Sequence, residues 1–274
     1  VNAIQDQTYT GDAIRPIIVV KKGGKILEDG YSYSYSNNTN VGTAEVTVKI
    51  GEDSAVVTFQ ITKDHHPMVE MADVSVTYGT AYTMEATAKT SAGNVIKGGT
   101  TIKYYTDEAC SEGEMETPPT NAGTYYAKAI LAGTDNYAEA SKVAKITISK
   151  ADFEITAKGY DGTYDGKPHS ITVTAVGATV SYSENGIDYS DTNPAYANAG
   201  TYTVYYKATK DNYNDASGSV DVKIAKATPT VMISADPTSL IGGGAVKLTV
   251  SGVPEGGKVT MTQTDDRGSA AKTL

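Results

Sequence analysis

Asn198-Ala199-Gly200-Thr201-Tyr202 opens a run in which Val204, Tyr206 and Ala208 fall on every second position. The same words stand at Asn121-Ala122-Gly123-Thr124-Tyr125, and a shorter version at Asn40-Val41-Gly42-Thr43. A turn-forming asparagine, a glycine and then apolar residues at a period of two describe a loop entering a half-buried strand. The second and third copies agree further along: Asp135-Asn136-Tyr137 returns as Asp211-Asn212-Tyr213, and Ile148-Ser149-Lys150-Ala151 as Ile224-Ala225-Lys226-Ala227. Self-similarity at roughly 75 to 80 residues is too long for a solenoid unit and suits a string of complete small domains.

Composition agrees. With 20 Tyr, 2 Phe and no Trp beside abundant Val and Thr, the chain carries the side chains that fit a pleated, half-wet surface. Its net charge of −9 is spread without an acidic or basic block, which argues against a nucleic-acid partner. No stretch has the length and apolarity of a membrane span, so no membrane insertion is expected, and the N-terminus lacks a signal-peptide core, so targeting signals are expected elsewhere. Cys110 is the single cysteine and rules out an intrachain disulfide. Small secreted animal domains lean on disulfides, so this weighs toward a bacterial surface protein.

Four modules are expected, at 1–63, 64–150, 151–226 and 227–274. In the first, residues 14–20, 31–35, 44–50 and 55–61 read as strands, separated by Lys22-Gly23-Gly24-Lys25, Asn37-Asn38 and Gly51-Glu52-Asp53. Asp64-His65-His66-Pro67 reads as a polar linker. In the second, Val74, Val76 and Tyr78 lead to Ile102 and Tyr104 and then to Tyr125, Ala127 and Ala129; the prolines of 107–119 make that segment a loop or hairpin arm. In the third, Phe153, Ile155 and Ala157 alternate, followed by Ile171, Val173 and Ala175, by Val180 and Tyr182, and by Val220, Val222 and Ile224. The last, with Val231, Ile233, Leu240, glycines 242 to 244, Val246, Leu248 and Val250, is a small or partial module. The expected fold class is all-β: tandem antiparallel sandwiches arranged as a linear rod on the order of 100 Å, since eight extended residues span roughly 27 Å.

The Gly-Thr-Tyr stretch resembles the start of strand F in immunoglobulin-like domains, with Ala127 and Val204 where a cysteine would stand. Together with Thr163-Tyr164-Asp165-Gly166-Lys167-Pro168 and the looser Thr8-Tyr9-Thr10-Gly11 and Thr77-Tyr78-Gly79, the chain resembles the mostly-β, YDG-type immunoglobulin-like repeats of Firmicutes surface proteins. That resemblance implies tandem modules of a cell-wall or secreted protein, serving as stalk, spacer or adhesive segment, with no shared catalytic residue. It also implies that Tyr125 and Tyr202 occupy corner positions, mostly buried with the hydroxyl bonded to backbone.

No residue set points to catalysis, a cofactor or a metal. His65, His66 and His169 are too scattered for a ligand set, and the acidic turns at 161–165, 135–136 and 211–215 lack the spacing of a calcium loop and read as local Asx turns. Cys110 lies between Glu108 and Glu112, which disfavour a thiolate. Lysines and asparagines are present, but not the glutamate motifs of isopeptide-crosslinked sandwiches. Tyr31, Tyr33 and Tyr35 alternate with serines and put three phenols on one face of a strand. Such a row either packs at a sandwich edge or stacks on a ligand, and with no tryptophan present packing is favoured. The reading is a non-enzymatic, monomeric spacer outside the cell or on the bacterial cell wall. The alternative is an adhesin segment that binds a host glycoprotein, glycan, mucin or immunoglobulin through module loops or the tyrosine row.

Overall fold

The computed structural model describes residues 1–236, 247–253, 257–260, 262–263 and 272–273. The first sandwich contains β1 (Gln7–Thr8), β2 (Lys21–Lys22), β3 (Lys25–Ile26), β4 (Ser32–Ser36), β5 (Gly42–Ile50) and β6 (Asp53–Thr62). The second contains β7 (Met68–Met71), β8 (Val74–Thr77), β9 (Ala86–Lys89), β10 (Val95–Ile96), β11 (Thr100–Tyr105), β12 (Gly123–Leu131) and β13 (Ala140–Ser149). The third contains β14 (Thr156–Lys158), β15 (Tyr160–Thr163), β16 (Thr172–Thr174), β17 (Thr179–Ser183), β18 (Gly200–Thr209) and β19 (Ala216–Ala225). Two antiparallel strand pairs follow, β20 (Met232–Asp236) with β21 (Lys247–Ser251) and β22 (Thr262–Gln263) with β23 (Lys272–Thr273); among the described residues there is no helix.

One sheet recurs three times: β4-β5-β6-β1, β11-β12-β13-β8 and β17-β18-β19-β15. Its centre is a long antiparallel hairpin whose register sets the repeated glycine against the repeated isoleucine, Gly42 opposite Ile61, Gly123 opposite Ile148 and Gly200 opposite Ile224. The period of two does what the sequence implies, burying Ala44, Val46 and Val48 on β5, Ala127, Ala129 and Leu131 on β12, and Val204 and Ala208 on β18. Each fully buried aliphatic side chain such as Leu131 or Ile146 stabilises the core by about 1.5–3 kcal/mol relative to exposure. Smaller sheets, β7-β9-β10, β14-β16 and β2-β3, complete the sandwiches. The described residues are all-β, a tandem of β-sandwiches.

Four expectations change. The sheets are not purely antiparallel, because β1, β8 and β15 run parallel to β6, β13 and β19. Residues 14–20 form no strand: Pro16 has no N–H to donate, and Asn38 takes over the backbone of Ile14, its carbonyl accepting the Ile14 N–H at 2.7 Å and its Nδ2 donating to the Ile14 carbonyl at 2.8 Å. Ile14 and Val20 are buried nonetheless, while Ile17 points outward. Phe153, Ile155 and Ala157 alternate in burial as read, but the strand β14 takes in only Ala157, and Phe153 meets the Tyr213 ring edge-on at 5.9 Å. Of the two corner tyrosines, both only half-buried, Tyr202 donates to the Asn198 carbonyl at 3.3 Å, whereas Tyr125 has no such bond; both rings fold back over the glycine two residues earlier, where a Cβ on Gly123 or Gly200 would lie 3.0 Å from the phenol. Leu240, glycines 242 to 244 and Val246 lie outside the described residues.

Two compact units divide the chain: Val1–Phe153 with Lys210–Asn214, and Glu154–Thr209 with Asp215–Leu274. In the second, Tyr196 stacks on Tyr202 at 4.0 Å and donates its hydroxyl to Glu184 at 2.6 Å. Burial first, then that bond, push the phenol up to about 12. A folded pKa above the unfolded value of about 10 contributes stability that is complete below pH 10 and lost as pH rises toward 12. Denaturant melts across pH 9 to 12 should therefore fall less steeply for Tyr196→Phe than for the parent; equal slopes would mean that Tyr196 titrates as in the unfolded chain.

Candidate functional site

The strongest constellation lies in the first unit, where the two repeated words meet. Asn136, in the turn between β12 and β13, accepts the Val41 N–H on Oδ1 at 2.9 Å and donates from Nδ2 to Asn40 Oδ1 at 3.2 Å. Its carbonyl accepts the Asp64 N–H at 2.9 Å, and the Asp64 carbonyl accepts the Ala138 N–H at 2.8 Å, a parallel bridge centred on Tyr137. The Tyr137 ring stands 6.1 Å from Tyr9 and packs against the cores of both the first and the second sandwich.

The segment Lys210–Asn214, which connects β18 to β19 and belongs to this unit, repeats the arrangement. Asn212 accepts the Ala122 N–H at 2.8 Å and donates to Asn121 Oδ1 at 3.3 Å; its carbonyl accepts the Ala151 N–H at 3.1 Å, and Asn214 N–H donates to the Ala151 carbonyl at 2.8 Å. Tyr213 meets Tyr78 edge-on at 5.3 Å. The asparagines at 136 and 212 therefore do more than turn the chain: they clasp the strand entry of an earlier sandwich. At a net ~0.5–1.5 kcal/mol per hydrogen bond, four such bonds are worth a few kcal/mol to each clasp.

Asp64 is also not the solvated linker residue the sequence suggested. It is 1% exposed, and its carboxylate accepts the His66 N–H at 3.0 Å and the Ser91 N–H at 2.7 Å. The Thr10 carbonyl adds two more bonds across the same boundary, from Thr90 Oγ1 at 3.2 Å and Asn94 Nδ2 at 2.9 Å. Clasp, bridge and buried carboxylate make the boundary between the first two sandwiches a bonded joint.

The tyrosine row is the second candidate. Tyr33 pairs with Val48 and Tyr35 with Val46, so the row lies on the core face of edge strand β4, and Tyr31 and Tyr35 are half-buried against that core. The Tyr35 hydroxyl donates to the Pro16 carbonyl, and burial, then the neighbouring Tyr33, hold its pKa above the ordinary phenol value. Tyr33 remains 53% exposed because residues 14–20 cover the face incompletely. The result is an open groove of about 660 Å³ lined by Arg15, Ile17, Tyr31, Tyr33, Tyr35 and Asn38. Tyr33→Ser should leave the melting midpoint nearly unchanged, whereas Tyr35→Ser should cost about 2 kcal/mol or more through lost packing; equal effects in thermal melts would place both rings in the same environment.

The remaining candidates resolve into local structure. His169 stacks on Tyr160 at 3.7 Å and meets Asp165 Oδ1 at 2.9 Å, while Lys167 N–H donates to the same carboxylate. Among the described residues no three histidine, cysteine or acidic groups converge as metal ligands would. Cys110 sits at φ +52° with its thiol pushed up by burial, the opposite of an activated nucleophile. The 107–119 arm is tied to edge strand β11: Met115 bridges Tyr104, and Glu114 accepts from Lys103 at 2.8 Å and Tyr105 at 3.1 Å.

No family model and no characterised protein sequence matches the chain. Among solved structures it is similar to the extracellular cadherin domains 1–4 of protocadherin gamma B7, at 12% identity over 84% of this chain and 73% of that one, with a TM-score of 0.33. Domains 1–6 of the surface layer protein SbsC give 13% identity over 98% of this chain with a TM-score of 0.28, and the four N-terminal immunoglobulin domains of Dscam1 give 10% over 68% with 0.31. The chain spans 51% of the SbsC structure and 54% of the Dscam1 structure. With TM-scores this low, none of these likenesses assigns a family, an activity or a partner.

Proposed function

We propose that this chain is a non-catalytic repeat segment of a bacterial cell-surface or secreted protein, of the YDG-type immunoglobulin-like class, that works as a stalk or spacer. The observation that carries the reading is the clasp. A spacer must fix each module on the next, and the asparagine words that the sequence repeats outside the core alternation are those that clasp the strand entries of the first two sandwiches. A purely local turn would have no use for the paired Asn-x-Gly word. Binding of the parent to arrays of host glycans, mucins and immunoglobulins should be absent. Binding that survives conversion of Tyr31, Tyr33 and Tyr35 to serine and replacement of the 107–119 arm would overturn the spacer reading.

The second reading is an adhesin segment with its site in the tyrosine groove. The observation in its favour is the exposure of Tyr33 together with Ile17, which is 97% exposed, beside Arg15. An aromatic face with polar groups around it suits the C–H face of a sugar. Loss of a glycan signal on Tyr33→Ser alone would favour this reading over the first.

A further inference from the structure

The third sandwich carries the same frame, and among the described residues nothing fills it. The Tyr164 N–H donates to the Ala225 carbonyl at 2.8 Å, as the Tyr78 N–H does to Ser149 at 2.8 Å and the Tyr9 N–H to Thr62 at 2.9 Å. Asn198-Ala199-Gly200 opens β18 as Asn121-Ala122-Gly123 opens β12. The frame is thus the same in all three sandwiches, and the occupancy is not. Tyr9 is 9% exposed beneath Tyr137, whereas Tyr164 is 46% exposed. Asn40 and Asn121 each hold an asparagine amide, but among the described residues nothing bonds the side chain of Asn198. Asp64 is 1% exposed, and its counterpart Ala227 lies open.

At this place the structure has a groove of about 390 Å³ lined by Asp161, Ala199, Gly200, Lys223, Ala225 and Lys226. From Asp215 to Leu274 the sequence contains neither asparagine nor tyrosine, so that stretch cannot supply the clasp. Both Asp-Asn-Tyr turns of the chain are already engaged, at Asn40 and at Asn121.

We propose that the Asn198 end of the third sandwich is a docking socket for the Asp-Asn-Tyr hairpin turn of a further immunoglobulin-like module. The incoming asparagine accepts the Ala199 N–H and donates to Asn198 Oδ1, its neighbouring tyrosine covers Tyr164, and Lys223 and Lys226 face its aspartate. The interaction goes beyond the spacer role, since it lets the third sandwich take on a further module by the same asparagine device that clasps the strand entries of the first two.

The test uses the full chain, labelled with ¹⁵N, and a cyclic peptide of residues 204–220 closed by a disulfide between Val204→Cys and Val220→Cys, a directly opposed pair in the β18–β19 register. The hairpin state of the peptide is checked by its own cross-strand nuclear Overhauser effects. The expected result is a dose-dependent shift of the Ala199 amide and the Asn198 side-chain amide with half-saturation of ~1–5 mM, the range in which short tethers make such weak contacts effective. The shift should disappear with an Asn212→Ala peptide, and with Asn198→Ala in the chain. A folded parent peptide that moves neither resonance at ~10 mM, or an alanine peptide that moves them equally, overturns the proposal.

Discussion

Gly159→Ala is expected to destabilise the third sandwich by about 3 kcal/mol or more, the upper range for forcing extra volume into a packed site. Gly159 lies between β14 and β15, where the chain leaves the sheet it shares with β16 and joins the one it shares with β19. A methyl there would overlap the backbone carbonyl of Asp221. Asp221 cannot retreat, because β19 is held on both sides, by β15 and by β18. The cost is one of space. Gly23 and Gly24 make the contrast: both have positive φ in the β2–β3 turn with open space around them, so alanine there should cost only ~1 kcal/mol. Hydrogen exchange at Val222 and Ile224 would read the Gly159 effect directly, and protection equal to the parent's would show that β14 and β15 can separate without loss.

The sheet change at Gly159 also marks where sequence reading stops. The central hairpins were legible because their residues obey a local period: Ala127, Ala129 and Leu131 are buried in the order their spacing implies. The parallel pairing of the edge strands was not, since an alternating run such as Val74-Ser75-Val76-Thr77 or Tyr160-Asp161-Gly162-Thr163 fits either direction, and for the second of these the direction is set by a partner some sixty residues later. The second sandwich makes the same change without glycine: Asp73 accepts the Lys145 N–H at 2.8 Å, so nothing in the two sequences looks alike.

The joint was hidden for another reason. An asparagine in a turn already has a sufficient local explanation. The Val41 and Asn136 that meet here are 95 residues apart, and Ala122 and Asn212 are 90 apart. A signal was present in the pattern of occurrence: the first module has Asn40-Val41-Gly42 but no Asp-Asn-Tyr, the second and third have both words, and 227–274 has neither. Two words distributed one module out of step are what a socket and the turn that fills it should show. Tyr31, Tyr33 and Tyr35 were correctly placed on one face, but the unequal exposure of the three depends on the cover over them, which the failed strand at 14–20 decides.

Asp64→Ala should be the most damaging single change at the joint, lowering the stability of the first unit by about 2–5 kcal/mol. Its carboxylate satisfies two backbone N–H groups, those of His66 and Ser91, at a position that is 1% exposed, and each buried donor left without an acceptor costs ~1–3 kcal/mol. In a unit of this size a loss of 3 kcal/mol corresponds to a fall in melting temperature of about 6–12 °C. Asp64→Asn keeps one acceptor oxygen and brings an NH₂ against a donor, so it should fall between alanine and the parent. Asn136→Ala, at a more exposed part of the clasp, should cost closer to 1 kcal/mol. The shape of the transition matters more than its midpoint. If the bonded joint makes the first two sandwiches unfold together, the parent shows one calorimetric transition for the first unit and Asp64→Ala splits it in two. A spacer needs this coupling, because a load on one module is shared only if the boundary transmits it. An Asp64→Ala chain that melts with the parent's midpoint and a single unchanged transition would mean that the joint holds nothing the cores do not already hold.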